Sequence, residues 1–195
     1  MAKEECNILI VGVGGQGNIL AGKVISQAFV AAGYDVKQSE VHGMAQRGGA
    51  VSAHVRAGEK IFSPLVPETS AHYILSFEYM EILRYMNYAG PQTTALINDL
   101  RVDPPAVASG NMQYPDDVLD RVKKKTRNIL VVNANQVARD LGTERVFNSV
   151  LVGVLAAYLP IKKNIWVKVY KELVKESLLD INLQALDAGL ALAGR

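Results

Sequence analysis

The chain has 195 residues, 49% of them hydrophobic and 21% charged, with a formal net charge of +2. This balance suits one folded domain with a sizeable core and is too apolar for a disordered chain. The small charge gives no strong field for a phosphate polymer, so no nucleic-acid partner is expected. A single cysteine, Cys6, excludes an internal disulfide and a cysteine-held iron–sulfur cluster, which needs about four thiolates. His42, His54 and His72 are too widely spaced for a short-range ligand pair, so no metal site is indicated.

MAKEECNILIVG reads as the approach to a first strand, with Asn7–Val11 a continuous apolar run of the kind buried on both faces of an α/β sheet. From Asn18 to Ala32, Ile19, Leu20, Val24, Ala28 and Ala31 recur at helical spacing, with Gly33 as the cap. Tyr34–Val41 predicts a second, more polar strand lying parallel to the first. Ala50–Arg56 alternates, and Ala57–Lys60 supplies turn chemistry before Ile61 and Phe62, which predicts a hairpin there and a mixed sheet. His72–Phe77 and Thr94–Asn98 read as core strands flanking a helix over Tyr79–Tyr88.

Asp116–Lys125 reads as a polar helix and Asn128–Asn133 as a further buried strand. The rest is helical: Ala134–Leu141, Thr143–Tyr158 stopped by Pro160, Asn164–Glu176, and about Asn182 to Ala193. No uncharged apolar stretch reaches the roughly 18 residues of a membrane span, so the expectation is a cytoplasmic protein that does not engage a membrane. The basic run Lys123–Lys125 with Arg127 reads either as a solvated helix end or as a docking patch for an acidic surface. The fold expected is a three-layer α/β/α sandwich on a mixed, mainly parallel, Rossmann-like sheet.

Two motifs carry chemistry. Gly12, Gly14 and Gly17 match GxGxxG between the first strand and the first helix, where such glycines let backbone N–H groups approach a pyrophosphate. Gly15 and Gln16 complete this turn. Glu40 sits where a ribose-binding acid would end the second strand, though farther on than usual, and the same glycines equally serve a tight turn with close helix packing.

The second motif, EVHGMAQRGGAV at Glu40–Val51, gathers an acid, an imidazole, an amide and a guanidinium among glycines. Arg47 beside Gly48 and Gly49 suits a phosphate or carboxylate, and His42 with Glu40 suits proton transfer. A structural or interface ion pair of Arg47 with Glu40 is the plainer alternative. His54 and His72 read as structural. Asn148, on an apolar helix, reads as a link to the loops near the site or as a core amide satisfied by backbone.

GVGGQG and EVHGMAQRGG together resemble the gamma-type subunit of the 2-oxoacid:ferredoxin oxidoreductases, closest to the beta-type subunit of the indolepyruvate branch. The resemblance spans nearly the whole chain as one domain, 1–195. It takes in VPE at Val66–Glu68, LSFEYMEILRY at Leu75–Tyr85 and FNSVLVGVL at Phe147–Leu155. It implies a component of an enzyme that oxidatively decarboxylates a 2-oxoacid to an acyl-CoA and reduces ferredoxin. Thiamine diphosphate and iron–sulfur clusters are then expected in a large partner subunit, and coenzyme A as cosubstrate. His42, Arg47 and Glu40 become candidate catalytic residues, with Gly12, Gly14, Gly15, Gln16, Gly17, Gly48, Gly49 and Asn148 as candidate cofactor contacts. The alternative to this reading is a free-standing dinucleotide-binding or regulatory module.

Overall fold

The computed structural model describes residues 3–42 and 49–194. Six strands form one sheet in the order β2-β3-β1-β4-β5-β6. They are β1 (Cys6–Val13), β2 (Asp35–His42), β3 (Ala50–Gly58), β4 (Ala71–Ser76), β5 (Ala89–Asn98) and β6 (Asn128–Val132). The helices are α1 (Asn18–Ala31), α2 (Pro105–Ala108), α3 (Val118–Lys123), α4 (Ala134–Asp140), α5 (Phe147–Ala156), α6 (Lys163–Leu173) and α7 (Glu176–Leu192).

β1 pairs in parallel with β4, β4 with β5 and β5 with β6, whereas β3 runs antiparallel between β1 and β2. The sheet is therefore mixed and mostly parallel, as expected, but two details differ. β2 does not lie beside β1, because β3 separates them. The hairpin pairs β3 back onto β2, from Asp35 opposite Gly58 to His42 opposite Val51, so Ala57 and Gly58 are strand residues and not a turn. The connection from β2 to β3 is too short for the crossover that a parallel neighbour requires, which leaves an antiparallel return.

β1 shows how the sheet is held. Its side chains alternate between faces. Ile8 and Ile10 pack with α1, α4, α5, α6 and α7 in one core, while Leu9 and Val11 join a second core with Val118 and Val122 of α3 and with Ile82. All four are fully buried, which explains the unbroken apolar run. The layers are unequal, five helices on one face against α3 and a single 3₁₀ turn, Glu81–Tyr85, on the other. That turn stands where a helix over Tyr79–Tyr88 was expected. Glu78 caps its start, one carboxylate oxygen accepting the backbone N–H groups of both Met80 (2.8 Å) and Glu81 (2.9 Å).

Every strand except β3 ends at the same edge, and β3 begins there. The glycine turn after β1 and the chain entering β3 consequently meet at the carboxyl edge of the sheet.

Candidate active-site edge

Gly14 donates its backbone N–H to Gly49 O at 2.9 Å, which ties the glycine turn to the start of β3. Within the turn, Gln16 folds back so that Oε1 accepts the Val13 N–H at 2.8 Å. Gly15 and Gly17 have φ of 97° and 87°, a left-handed conformation that costs other residues on the order of 1–2 kcal/mol. Gly12 and Gly17 are also needed for space. A Cβ on Gly12 would lie 2.6 Å from Gln16 Oε1 and 2.8 Å from Phe77 Cβ, and one on Gly17 would lie 2.6 Å from Asn148 Nδ2. The interior of the turn is thus filled by its own glutamine, and its mouth by an amide from α5.

These amides are incompletely satisfied. Gln16 Nε2 and both polar atoms of the Asn18 side chain are buried without a hydrogen-bond partner. Each such group costs roughly 1–3 kcal/mol. Asn148 is buried at 8% exposure, and its Oδ1 accepts the Ser149 N–H at 2.8 Å. Gln16 and Asn148 line an open cleft of about 570 Å³, together with Leu100, Asn135, Arg145 and Phe147. Its polar equipment is amide groups, one guanidinium and the Glu144 carboxylate, suited to a polar group beside an apolar wall.

The floor of this edge is a second polar network, which the sequence reading missed. Asn98, fully buried at the end of β5, donates to Phe77 O at 3.0 Å and to Asn135 Oδ1 at 2.8 Å, and accepts the Ala134 N–H at 3.0 Å. Asn135 donates in turn to Glu144 at 2.8 Å. Glu78, also fully buried, takes Val102 N–H (3.1 Å) and the Tyr114 hydroxyl (2.7 Å) on its other carboxylate oxygen. Glu81 accepts from Arg84 Nε at 3.0 Å, yet its second oxygen is buried with no partner. Burial pushes the Glu81 carboxyl up, against the opposing effect of Arg84. Strand ends carrying Asn and Glu were the available signal, since β5 closes on Asn98 and Glu78 follows the buried run of β4.

The other predicted residues divide. Glu40 lies on β2, half-buried, and accepts from Gln38 Nε2 at 2.9 Å. His42 closes β2 opposite Val51. Arg47 and Gly48 lie outside the described residues. His54 and His72 are taken up by the fold: His54 Nδ1 accepts the Val66 N–H at 3.2 Å and His72 Nδ1 accepts the Asn7 N–H at 2.9 Å. Burial pushes the His54 imidazole down, so it stays neutral as an acceptor.

Residues 7–192 match the family of pyruvate ferredoxin/flavodoxin oxidoreductases. The chain belongs to this family. Among its relatives, the indolepyruvate oxidoreductase subunit IorB of Archaeoglobus fulgidus is 37% identical over 195 residues, covering 97% of this chain and 96% of that one. The fold is shared with the gamma subunit of a keto/oxoacid ferredoxin oxidoreductase from Geobacter sulfurreducens, at a TM-score of 0.71, 22% identity and coverage of 96% and 98%. It also recurs in the 2-oxoglutarate:ferredoxin oxidoreductase of Magnetococcus marinus, solved with 2-oxoglutarate, coenzyme A and succinyl-CoA bound. There the TM-score is 0.75 at 22% identity, and the match covers 98% of this chain and 31% of the longer one.

An iron–sulfur cluster, which family membership brings into question, does not fit this subunit's residues. Cys6 is its one thiol, and burial pushes that thiol up to about 12, far from the thiolate a cluster requires. Among the described residues no group of three or more His, Cys, Asp or Glu is placed to hold a metal ion. Among them, too, no helix is long and apolar enough to cross a membrane.

Proposed function

We propose that this chain, as a single domain over 1–195, is the cluster-free small subunit of a cytoplasmic indolepyruvate:ferredoxin oxidoreductase. The complex converts an aryl 2-oxoacid and coenzyme A to the acyl-CoA and carbon dioxide, and two electrons pass to ferredoxin. The observation that carries this reading is the full-length 37% identity to IorB, against shorter or weaker likeness to the 2-oxoglutarate and ketoisovalerate relatives. The lone, partly buried thiol fits the same division of labour, with thiamine diphosphate and the clusters carried by the large partner subunit.

Thiamine diphosphate supplies the carbon–carbon cleavage when bound in the partner. The work of this subunit is positioning. The glycine turn, held in shape by Gln16 and capped by Asn148, offers amide donors at the cleft, a setting for the polar parts of coenzyme A or of the substrate. His42 at the end of β2 and Gly49 at the entry to β3, tied to Gly14, lie at this same edge, and in the reading proposed here the imidazole of His42 and the guanidinium of Arg47 supply proton handling and carboxylate or phosphate recognition.

Reconstitution tests this. The complex containing Arg47→Ala with His42→Ala is expected to assemble and to lose indolepyruvate-dependent, coenzyme A-dependent dye reduction by about tenfold or more, the usual range for a lost acid–base or charged binding group. Wild-type turnover from a correctly assembled variant would overturn the role given to the loop.

A further inference from the structure

Two long segments connect strands without joining the sheet, and they are held in different ways. Residues 59–70, between β3 and β4, are anchored to the core. Ile61 and Val66 are each 3% exposed, Val66 N–H reaches His54 Nδ1 at 3.2 Å, and Arg56 Nη1 donates to Ser63 O at 3.1 Å. Residues 99–117, between β5 and α3, contain no buried residue at all, and the short α2 within them is no exception.

The order of this second segment is internal. Val107 N–H and Ala108 N–H bond to Pro104 O, Ser109 N–H to Pro105 O and Met112 N–H to Ala106 O, each at 2.9 Å, and Asp103 pairs with Arg101 at 2.6 Å. Among the described residues, every hydrogen bond and ion pair of residues 103–113 closes within 101–113. The attachment lies at the two ends and converges on one group. Glu78, fully buried just past β4, accepts Val102 N–H at 3.1 Å and the Tyr114 hydroxyl at 2.7 Å on a single oxygen. The exposed Arg101 guanidinium lies over the Tyr114 ring at 4.3 Å. Burial and the Glu78 carboxylate push the Tyr114 hydroxyl up, so it stays protonated as the donor.

We infer that residues 101–114 form a strap that swings as one piece about Glu78 and gates the clefts it borders. Val102 lines both the 570 Å³ cleft at the glycine turn and a neighbouring cleft of about 280 Å³, whose wall continues through Asp103, Pro104, Pro105 and Ala108. The strap is therefore a wall that the two clefts share. A segment with no buried residue loses little apolar contact when displaced, so its position rests on the neck, which is two hydrogen bonds to a carboxylate and one cation–aromatic contact. The internal bonds survive the swing, so the strap keeps its shape as it moves. Closing on an occupied cleft covers Val102, now 37% exposed, and keeps water from the bound molecule. The hinge stands on this geometry alone. Only its effect on turnover rests on the reading of this chain as a subunit of the oxidoreductase.

Tyr114→Phe removes the hydroxyl donor, Arg101→Ala removes the stacked guanidinium, and the double variant removes both. Motion is read on the free full-length chain by electron–electron double resonance between nitroxides at Ser109→Cys on the strap and Lys23→Cys on α1, in a Cys6→Ala background. A second pair, Ser63→Cys with Lys23→Cys, reports the anchored segment. With Tyr114 and Arg101 intact, the strap pair is expected to show one dominant distance. In the double variant a second, displaced population should grow roughly ten- to a hundredfold relative to it, the scale of a lost bond to a charged acceptor, with the Ser63 pair and the circular dichroism unmoved. An unchanged strap distance in the double variant would overturn the hinge. So would a change in both pairs, which marks general loosening, or a featureless spread before any neck substitution, which marks a chain that does not move as one piece.

In the reconstituted complex the double variant is expected to bind the partner normally and to lose at least threefold in kcat/KM for coenzyme A or the 2-oxoacid, whichever enters the cleft. A displaced strap with wild-type kinetics for both would overturn the gate. Should the wild-type chain have no partner, the subunit reading fails while the distance measurements still decide the strap.

Discussion

The crossing of α5 with α7 and the carboxyl edge of the sheet both depend on glycines that let chain segments touch, but they use the contact differently. At the crossing, a Cβ on Gly153 would lie 2.2 Å from Leu186 O, and one on Gly189 would lie 2.0 Å from Val150 O. The polar groups nearby are paired, Ser149 Oγ donating to Asn182 Oδ1 at 2.6 Å and Asn182 Nδ2 to Leu178 O at 2.7 Å. At the sheet edge the glycines face side-chain amides, and Gln16, Asn18 and Glu81 keep buried atoms without partners. The first arrangement is complete by itself. The second is costly in the free chain and becomes favourable only when something else supplies the missing bonds, which is the physical mark of a site.

The sharpest way to test the contrast is to add one methyl group to each region. Gly153→Ala pushes against backbone that cannot turn aside, so α5 and α7 must separate. A loss of about 3 kcal/mol is expected, a fall in Tm on the order of 6–12 °C for a chain of this size, measured by calorimetry on the free subunit. An unchanged Tm would show that the crossing is looser than its geometry.

Gly17→Ala is expected to cost about 1–2 kcal/mol from its left-handed backbone alone, with a further penalty from the Asn148 amide. That second part has a movable cause. Adding Asn148→Ala is expected to recover part of the loss, a coupling on the order of 0.5–3 kcal/mol read from denaturant unfolding of the two single variants and the double. Strict additivity would separate Asn148 from the turn.

The smallest effect concerns Glu81. Its carboxyl is raised in the folded chain, so the folded state holds the proton at pH values where the unfolded state has released it. Stability from this group is present below the ordinary glutamate value of 4.5 and falls as pH rises through the raised folded value. Glu81→Gln should flatten that decline and leave the free subunit as stable as wild type or slightly more so above it. A steeper decline in the variant would mean that the Glu81 charge already has its partner within the chain.

Much of this architecture is legible in the sequence, and the misses share a cause. The apolar run of β1, the stripe of α1 with Gly33 at its end, and the helices after Ala134 report burial directly, and burial is what periodicity encodes. Strand neighbours are a different kind of information. The alternation in Ala50–Gly58 gives the faces of β3 but not that it inserts between β1 and β2, and Gly58 imitates a turn signal while lying in the strand under Ile61. Glu78 and Glu81 look like the solvated face of a helix, because acids are seldom buried, and only their partners reveal otherwise. Gly153 reads either as a close-packing position or as incidental, and only α7, far along the chain, decides between them. Of the candidate site, the glycine turn is legible as a motif and Asn148 as one of two readings, a link to nearby loops, but that its amide sits against Gly17 is not.

The central claim is that this chain works only as the cluster-free member of a larger oxidoreductase. The most direct measurement is anaerobic purification of the tagged chain from its native host, with analysis of partner, iron, thiamine diphosphate and indolepyruvate-dependent dye reduction in the same sample. The expected result is a cysteine-rich large subunit that brings the iron and thiamine diphosphate, and activity that disappears when the two chains are separated and returns when they are recombined. A chain that purifies alone with a tightly bound nucleotide, and neither joins nor supports such an enzyme, would contradict it.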